Sequence, residues 1–373
     1  MSKDQALLKS YNLNGLELPN RVVMAPMTRS RADNEGNVPT VDLQGEYYKQ
    51  RASAGLIISE GSQVSEEAVG YIHTPGFHTE AQVEGWKKVT DIVHQEGGRI
   101  FIQLWHVGRM SHPDFHNGKK PLAPSAINPN SKSFTPEGFK DTVTPQEMSL
   151  EDIKRTIQDF KKAAENAVKA GFDGVEIHGA HGYLICQFLG TATNRRTDQW
   201  GGSLPNRARF LMKIIERIRQ KTSESFLVGV RISPEYNQIG IVLEDSLDLV
   251  DLLVESEIDF LHISCWDCFI PPTHSDDPRM VTEIFAERLA NRLPMISCGA
   301  VWSTKHALQV MEQGTDLVGV ARAGIGHSDW AIHLDNRDYD PQRPPFTAEH
   351  LRSEALSEKF IEYMRNWKDF VES

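Results

Sequence analysis

Eight short apolar runs, bounded by turn residues and alternating with helix-like stretches, constrain this 373-residue chain more than any other feature. They fall at Arg21 to Ala25, Leu56 to Ser59, Ile100 to Leu104, Gly174 to His178, Val228 to Ile232, Phe260 to Ser264, Met295 to Cys298 and Leu317 to Ala321. Between them, helical patterns cover residues 40–54, 80–97, 150–170, 204–221, 244–256, 281–291 and 304–313. Strands that alternate with helices pair in parallel. Eight such units in about 300 residues fit a single α/β domain, a (β/α)8 TIM barrel, better than an open doubly wound sheet of five or six strands. No Gly-x-Gly-x-x-Gly follows a strand, which disfavours a dinucleotide-binding domain.

The expected decorations are an N-terminal hairpin, a long connection after the third strand and a C-terminal helix. The connection, residues 106–149, is rich in Pro, Ser, Asn and Gly and reads as a lid. Residues 347–370 read as an amphipathic helix folded back onto the barrel after the turn Pro341-Gln-Arg-Pro-Pro345. Ser149-Leu-Glu-Asp152 has the form of a capping box with Asp at the third helical position, and Ala170-Gly171 and Gln313-Gly314 supply helix stops.

A net charge of -11 argues against nonspecific affinity for nucleic acid or anionic membranes, which favour clustered Lys and Arg. No apolar run approaches the roughly 18 residues that span a bilayer, and the first residues form no signal core. Four irregularly placed cysteines, Cys186, Cys265, Cys268 and Cys298, make no disulfide framework, so a reducing, cytoplasmic setting is expected.

Polar residues gather where the strands end. Glu176-Ile-His-Gly-Ala-His-Gly-Tyr183 delivers two imidazoles and a phenol off an apolar run, at the end of a barrel that carries chemistry. Read alone, His178 and His181 are a capped strand end, a metal pair or two hydrogen-bond donors for an oxygen, with Tyr183 as a packed ring or a proton source. A metal needs a third converging ligand, and only Glu176 offers itself, so none is expected. Gln103 and Arg231 stand inside strands, where an unpaired amide or charge costs several kcal/mol or more. With Thr28 they suit the edge of a planar heterocycle such as an isoalloxazine, and Ala300, Ala321 and Arg322 occupy the two strand ends where barrels commonly bind phosphate.

Several motifs in order make the chain resemble the old yellow enzyme family over nearly its whole length. They are Leu18-Pro-Asn-Arg-Val-Val-Met-Ala-Pro-Met-Thr-Arg-Ser-Arg31, Gln103-Leu-Trp-His-Val-Gly-Arg109, His178-Gly-Ala-His-Gly-Tyr-Leu184, and Asn194-Arg-Arg-Thr-Asp-Gln-Trp-Gly-Gly-Ser203 followed by Asn206-Arg-Ala-Arg-Phe210. The resemblance implies one FMN-binding barrel domain over residues 1–373, monomeric or homodimeric, with NADPH or NADH as reductant. Its substrate would be a small activated alkene, an enone or nitroalkene, with nitro compounds and quinones as further acceptors. Residue by residue it implies that Ala25, Pro26, Met27, Thr28, Gly61, Gln103 and Arg231 line the flavin and that Ala300, Ala321 and Arg322 hold its phosphate. His178 and His181 would bind the substrate oxygen, Tyr183 would donate the proton, and Tyr71 and Trp105 would shape the pocket. The family more often has Gly where Ala321 stands, and its Gly- and Tyr-rich tail is replaced here by a charged segment. Cys265-Trp-Asp-Cys268 has no second C-x-x-C beside it and is read as structural, with Trp266 near the mouth of the site.

Overall fold

The computed structural model describes residues 6–366 and 369–372. A hairpin of β1 (Tyr11–Leu13) and β2 (Leu16–Leu18) leads into β3 (Val22–Met24), β4 (Leu56–Gln63) and β5 (Ile100–Trp105). The connection after β5 carries β6 (Leu122–Ala123), β7 (Lys132–Thr135), β8 (Gly138–Asp141) and β9 (Gln146–Glu147). Then follow β10 (Gly174–Gly179), β11 (Leu227–Ile232), β12 (Phe260–Ser264), β13 (Met295–Cys298) and β14 (Leu317–Val320). Strands β3, β4, β5 and β10 to β14 close into a barrel in chain order, with parallel pairing throughout and β14 returning to β3. The expected (β/α)8 barrel is present.

Helices α1 (Glu46–Gln50), α2 (Glu80–Gln95), α3 (Leu150–Lys169), α4 (Leu184–Leu189), α5 (Leu204–Arg219), α6 (Leu243–Val254), α7 (Val281–Leu289) and α8 (Thr304–Glu312) follow the strands, and α9 (Arg322–Gly326), α10 (Ala348–Ser353) and α11 (Glu358–Met364) complete the chain. The α3 start forms its capping box: Ser149 Oγ accepts from Asp152 N at 3.1 Å and Asp152 Oδ2 accepts from Ser149 N at 2.9 Å. None of the described helices is long and apolar enough to cross a membrane.

Two apolar cores divide the work. Inside the barrel, toward the N-terminal ends of the strands, Val23, Leu56, Ile58, Phe101, Leu227, Phe260, Ile296 and Leu317 pack with hairpin residues Leu13 and Leu18, all buried. The hairpin thus plugs one end, pinned by Asn14 Nδ2 donating to Asp259 Oδ1 at 3.1 Å. Outside the strands, the inner faces of the helices contribute residues such as Trp86, Phe160, Phe210 and Phe285 to the larger core. Each large side chain so buried contributes about 1.5–3 kcal/mol.

Several elements depart from the sequence pattern. The helix expected over residues 40–54 is a π turn, Val41–Gly45, followed by the short α1, with Gln44 Oε1 accepting from Thr40 N and Gly45 at the join. Strand β4 runs on to Gln63 through a register shift between Ile58 and Gly61. Helix α4 is buried on every side, so it carries no amphipathic signal. The C-terminal helix is divided into α10 and α11 by a turn in which Ala355 takes a φ of 55°. Trp367 and Lys368, within the expected span of 347–370, lie outside the described residues.

The long connection is tied down at both ends. Arg196 donates to Met148 O at 2.7 Å and Pro124 O at 3.2 Å, and Arg109 donates to Ile127 O at 3.1 Å. Its hairpin of β7 and β8 sets Phe134 against Tyr363 of α11, ring centroids 5.5 Å apart.

Gly229 shows how tightly the lower barrel is filled, because a Cβ there would lie 2.0 Å from Phe260 Cζ. Overpacking of this kind costs about 1–3 kcal/mol. Gly229→Ala should therefore lower the unfolding midpoint in urea or heat, and adding Phe260→Leu should recover part of the loss. An unchanged midpoint, or a double variant no better than the single one, would show that the Phe260 ring does not set this position.

Candidate active site

Most of the residues singled out by the sequence lie at the C-terminal end of a barrel strand or in the loop after it. Ala25 to Thr28 follow β3, Gly61 is in β4, Tyr71 follows β4, and Gln103 and Trp105 are in β5. His178 is the penultimate residue of β10, His181 and Tyr183 follow that strand, Arg231 is in β11, Ala300 follows β13, and Ala321 and Arg322 follow β14. Parallel strands in register bring these ends together.

His178 is buried, and its Nδ1 accepts from Ala180 N at 3.3 Å, so a neutral ring carries its hydrogen on Nε2. Its pKa is well below 6.5, chiefly because burial disfavours the charge and then because His181 and Arg231 are near. His181 adopts a φ of 61°, and its ring centroid stands 5.2 Å from that of His178. Although His181 is exposed to the cleft, protein surrounds it elsewhere, and burial with Arg231 also holds its pKa well below 6.5. Its Nε2 lies 2.8 Å from Ser264 Oγ, which accepts from Arg231 Nη2 at 3.0 Å. With the arginine donating to its oxygen, the serine can give its own hydrogen to His181 Nε2, and in that tautomer the imidazole carries its hydrogen on Nδ1.

Tyr183 precedes α4, whose first N–H donates to His106 O at 3.0 Å and so fixes the turn against β5. Its ring meets Trp105 edge-on at 4.9 Å and His178 at 5.1 Å, and its hydroxyl is 3.0 Å from that of Tyr71. Burial, then Tyr71, raises the phenol well above 10.0, so it stays protonated. Trp105 also stacks on Tyr71 at 5.3 Å, which ties the two pocket residues to the phenol.

Arg231 reaches from these groups to the loop after β3, donating to Pro26 O at 3.4 Å, while its buried Nε has no partner. Gln103 Nε2 donates to Glu176 Oε1 at 2.7 Å. A Cβ on Gly61 would sit 2.7 Å from Trp105 Cε3 and 3.3 Å from Gln103 Oε1, so the protein's own packing requires glycine there. Farther around the rim, Gly299 and Ala300 take φ values of 149° and 56°, and a Cβ on Gly299 would lie 2.7 Å from Cys265 O. The guanidiniums of Arg322 and Arg343 lie 5.7 and 5.6 Å from the centre of the Trp302 ring. Pro26, Gln103, Trp105, Tyr71, His178, His181, Tyr183 and Arg231 thus form one contact network, with Ala300, Ala321 and Arg322 on a separate arc of the rim.

Sequence reading missed the buried centre of this network. His262 Nδ1 is 2.7 Å from Glu176 Oε2, its Nε2 is 3.2 Å from Cys298 Sγ, and that sulfur is 3.5 Å from Arg231 Nη2. A histidine in the middle of the apolar run Phe260 to Ser264 is the same signal that drew attention to Gln103 and Arg231. Cys265 and Cys268 are free, buried thiols, Cys268 donating to Gly299 O at 2.8 Å, and Trp266 is 92% exposed.

A sequence model described as the NADH:flavin oxidoreductase / NADH oxidase family matches residues 7–340. Among curated relatives, 12-oxophytodienoate reductase 1 of Oryza sativa subsp. japonica is 45% identical over 252 residues, which is 67% of this chain and 64% of that protein. The match therefore spans a little under two thirds of that relative's length. Among solved structures, morphinone reductase superposes with a TM-score of 0.80 at 36% identity, over 91% of this chain and 92% of the other. The old yellow enzyme homologue from Zymomonas mobilis gives 0.82 at 32% identity, over 95% and 98%. Agreement over both sequence and fold is this extensive because the chain belongs to the NADH:flavin oxidoreductase / NADH oxidase family, the family of the old yellow enzymes.

Proposed function

We propose that this chain is an FMN-dependent ene-reductase that uses NADPH or NADH to reduce the double bond of a small activated alkene. The observation that carries the reading is the group formed by His178, His181 and Tyr183: two neutral imidazoles with hydrogens to donate, beside a phenol that stays protonated. An electron-poor alkene develops negative charge on its carbonyl or nitro oxygen as it accepts hydride, and preorganised donors stabilise that charge as an oxyanion hole does.

The residues present fit FMN. Arg231 is buried with an unpartnered Nε, a position that calls for an acceptor such as a heterocycle carbonyl or ring nitrogen. Ala25, Pro26, Met27, Thr28, Gly61, Gln103 and Arg231 would hold the ring, and Ala300, Ala321 and Arg322 the phosphate. When bound, FMN supplies the hydride chemistry that links NAD(P)H to the alkene.

The chain's own part is orientation and proton delivery. His178 through Nε2–H and His181 through Nδ1–H would hold the substrate oxygen, Trp105 and Tyr71 would wall the pocket, and Tyr183 would protonate the α-carbon. Tyr71, hydrogen-bonded to Tyr183, is placed to return a proton to it. Nitro compounds and quinones present a comparable oxygen and are further candidate acceptors.

Tyr183→Phe should lower alkene turnover by about 10²–10⁴, the usual contribution of general acid catalysis, while anaerobic reduction of the flavin by NADPH persists. Stopped-flow measurement of the two half-reactions separates them; equal loss of both, or of neither, would overturn the assignment. The pH dependence follows from the same shifts. His178 and His181 lose their charge well below 6.5 and Tyr183 loses its proton well above 10.0, so the alkene step should be flat between those values as far as these groups are concerned. An inflection inside that window that His178→Asn abolishes would contradict neutral donors.

A further inference from the structure

The buried centre beneath the two histidines has a chemistry of its own. Glu176 is fully buried and accepts from Gln103 Nε2 on one oxygen and from His262 Nδ1 on the other, each at 2.7 Å. A carboxylate held by these contacts obliges His262 to carry a hydrogen on Nδ1, leaving Nε2 to face Cys298 Sγ at 3.2 Å. On its other side the sulfur receives Arg231 Nη2 at 3.5 Å, and arginine keeps its proton. Carboxylate, imidazole and thiol in line form the arrangement that elsewhere activates a cysteine. Here the row ends on a guanidinium.

We propose that Cys298 is a positioning residue for Arg231: its sulfur is held as a thiolate between His262 and Arg231, and it sets how much positive charge Arg231 presents to the flavin. The inference rests on the reading of Arg231 as a flavin contact. One proton moves, from Cys298 Sγ to His262 Nε2, turning thiol and imidazole into thiolate and imidazolium with no other reactant. A thiolate can accept from both cations at once, whereas a thiol would spend its hydrogen on His262 Nε2 and accept only weakly from Arg231.

The groups around the sulfur agree with this charge. From β10 and its loop come Glu176 and the neutral His178 and His181, from β11 Arg231, and from β12 His262 with Ser264 Oγ at 3.9 Å. After β12 stand Cys265 and Cys268, both kept as thiols by burial, with Asp267 in the same turn. On the β14 and β3 sides the packing beside Cys298 is apolar and tight: a Cβ on Gly319 would lie 2.6 Å from Cys298 Cβ and 3.6 Å from Ala25 Cβ. Burial pushes the Cys298 thiol up, but His262 and then Arg231 outweigh it and bring the value to about 6. For His262, burial opposes the charge, while Glu176 and then Cys298 raise its pKa.

Two measurements test the proposal. The first is the infrared S–H band, which needs no flavin. At mildly alkaline pH the wild type and Cys298→Ser should have equal S–H intensity, because Cys298 contributes none. His262→Gln should add S–H intensity at the same pH, and mild acid should add it to the wild type. A Cys298→Ser protein that loses the share of one of four thiols at alkaline pH overturns the thiolate. The second is the flavin midpoint potential of the loaded protein. Cys298→Ser and Cys298→Ala should both shift it to more positive values at alkaline pH, since loss of the anion leaves Arg231 freer to stabilise reduced, negatively charged flavin. The gap should close in mild acid, where the wild-type sulfur is protonated. Equal potentials at alkaline pH overturn the positioning role. A chain that holds no flavin would defeat the functional reading and with it the role assigned to Arg231, while the S–H band would still decide the charge on Cys298.

Discussion

Everything at the C-terminal end of this barrel depends on how four strands carry buried charge. Glu176, His262 and Arg231 are each almost wholly withdrawn from water, and an ion so placed costs several kcal/mol unless its partners are close and well aimed. The strands meet that cost across the sheet. Gln103 of β5 reaches Glu176 of β10, Glu176 reaches past β11 to His262 of β12, and Arg231 of β11 bonds Ser264 of β12. Because those bonds span strands, the site's groups meet only in the closed barrel. The His178 and His181 donors stand on the same scaffold, His181 directly through Ser264.

The parts legible in the sequence were those whose physics is local. Strands buried on both faces read as apolar runs, so all eight barrel strands were found, and a polar residue inside or just after such a run marked His178, His181, Tyr183, Gln103 and Arg231 as unusual. What stayed hidden depends on partners distant in sequence. Glu176 could be named only as a possible ligand, since nothing local says that its oxygens meet Gln103 and His262. Helix α4 was invisible because all its faces are buried, and the expected helix at 40–54 failed because Gly45 and the Gln44 side chain break it into a π turn and a short α1.

Some of the residues that carry the family likeness are mechanical. In Asn194 to Ser203, Asn194 Nδ2 donates to Phe188 O and Trp200 O, and Arg196 ties down the connection after β5 through Pro124 O and Met148 O. Behind it, Arg207 pairs with Asp245 of α6 at 2.6 Å. These contacts anchor the wall of the cleft to the frame that carries α4 and Tyr183. Long connections cost little extra entropy once their ends are fixed, so a few arginine-to-carbonyl bonds suffice to hold one this long.

The loop that carries Ala25 to Thr28 is governed by a second buried charge cluster, which explains why β4 outruns its apolar pattern. Arg29 and Arg31 follow that loop directly, are fully buried, and pair with Glu60 at 3.2 and 3.4 Å. Tyr48 contributes as well, its hydroxyl accepting from Arg29 Nη2 at 2.6 Å and from Glu60 N at 2.7 Å. Glu60 lies within the register shift of β4, and a bulge is a means of re-aiming a side chain that regular pleating would direct elsewhere. The polar stretch Ser59 to Gln63 therefore continues the strand because its side chains have buried partners. Without Glu60, two guanidiniums would be left nearly uncompensated, and the loop bearing Thr28 would lose the anchor that holds it opposite Arg231.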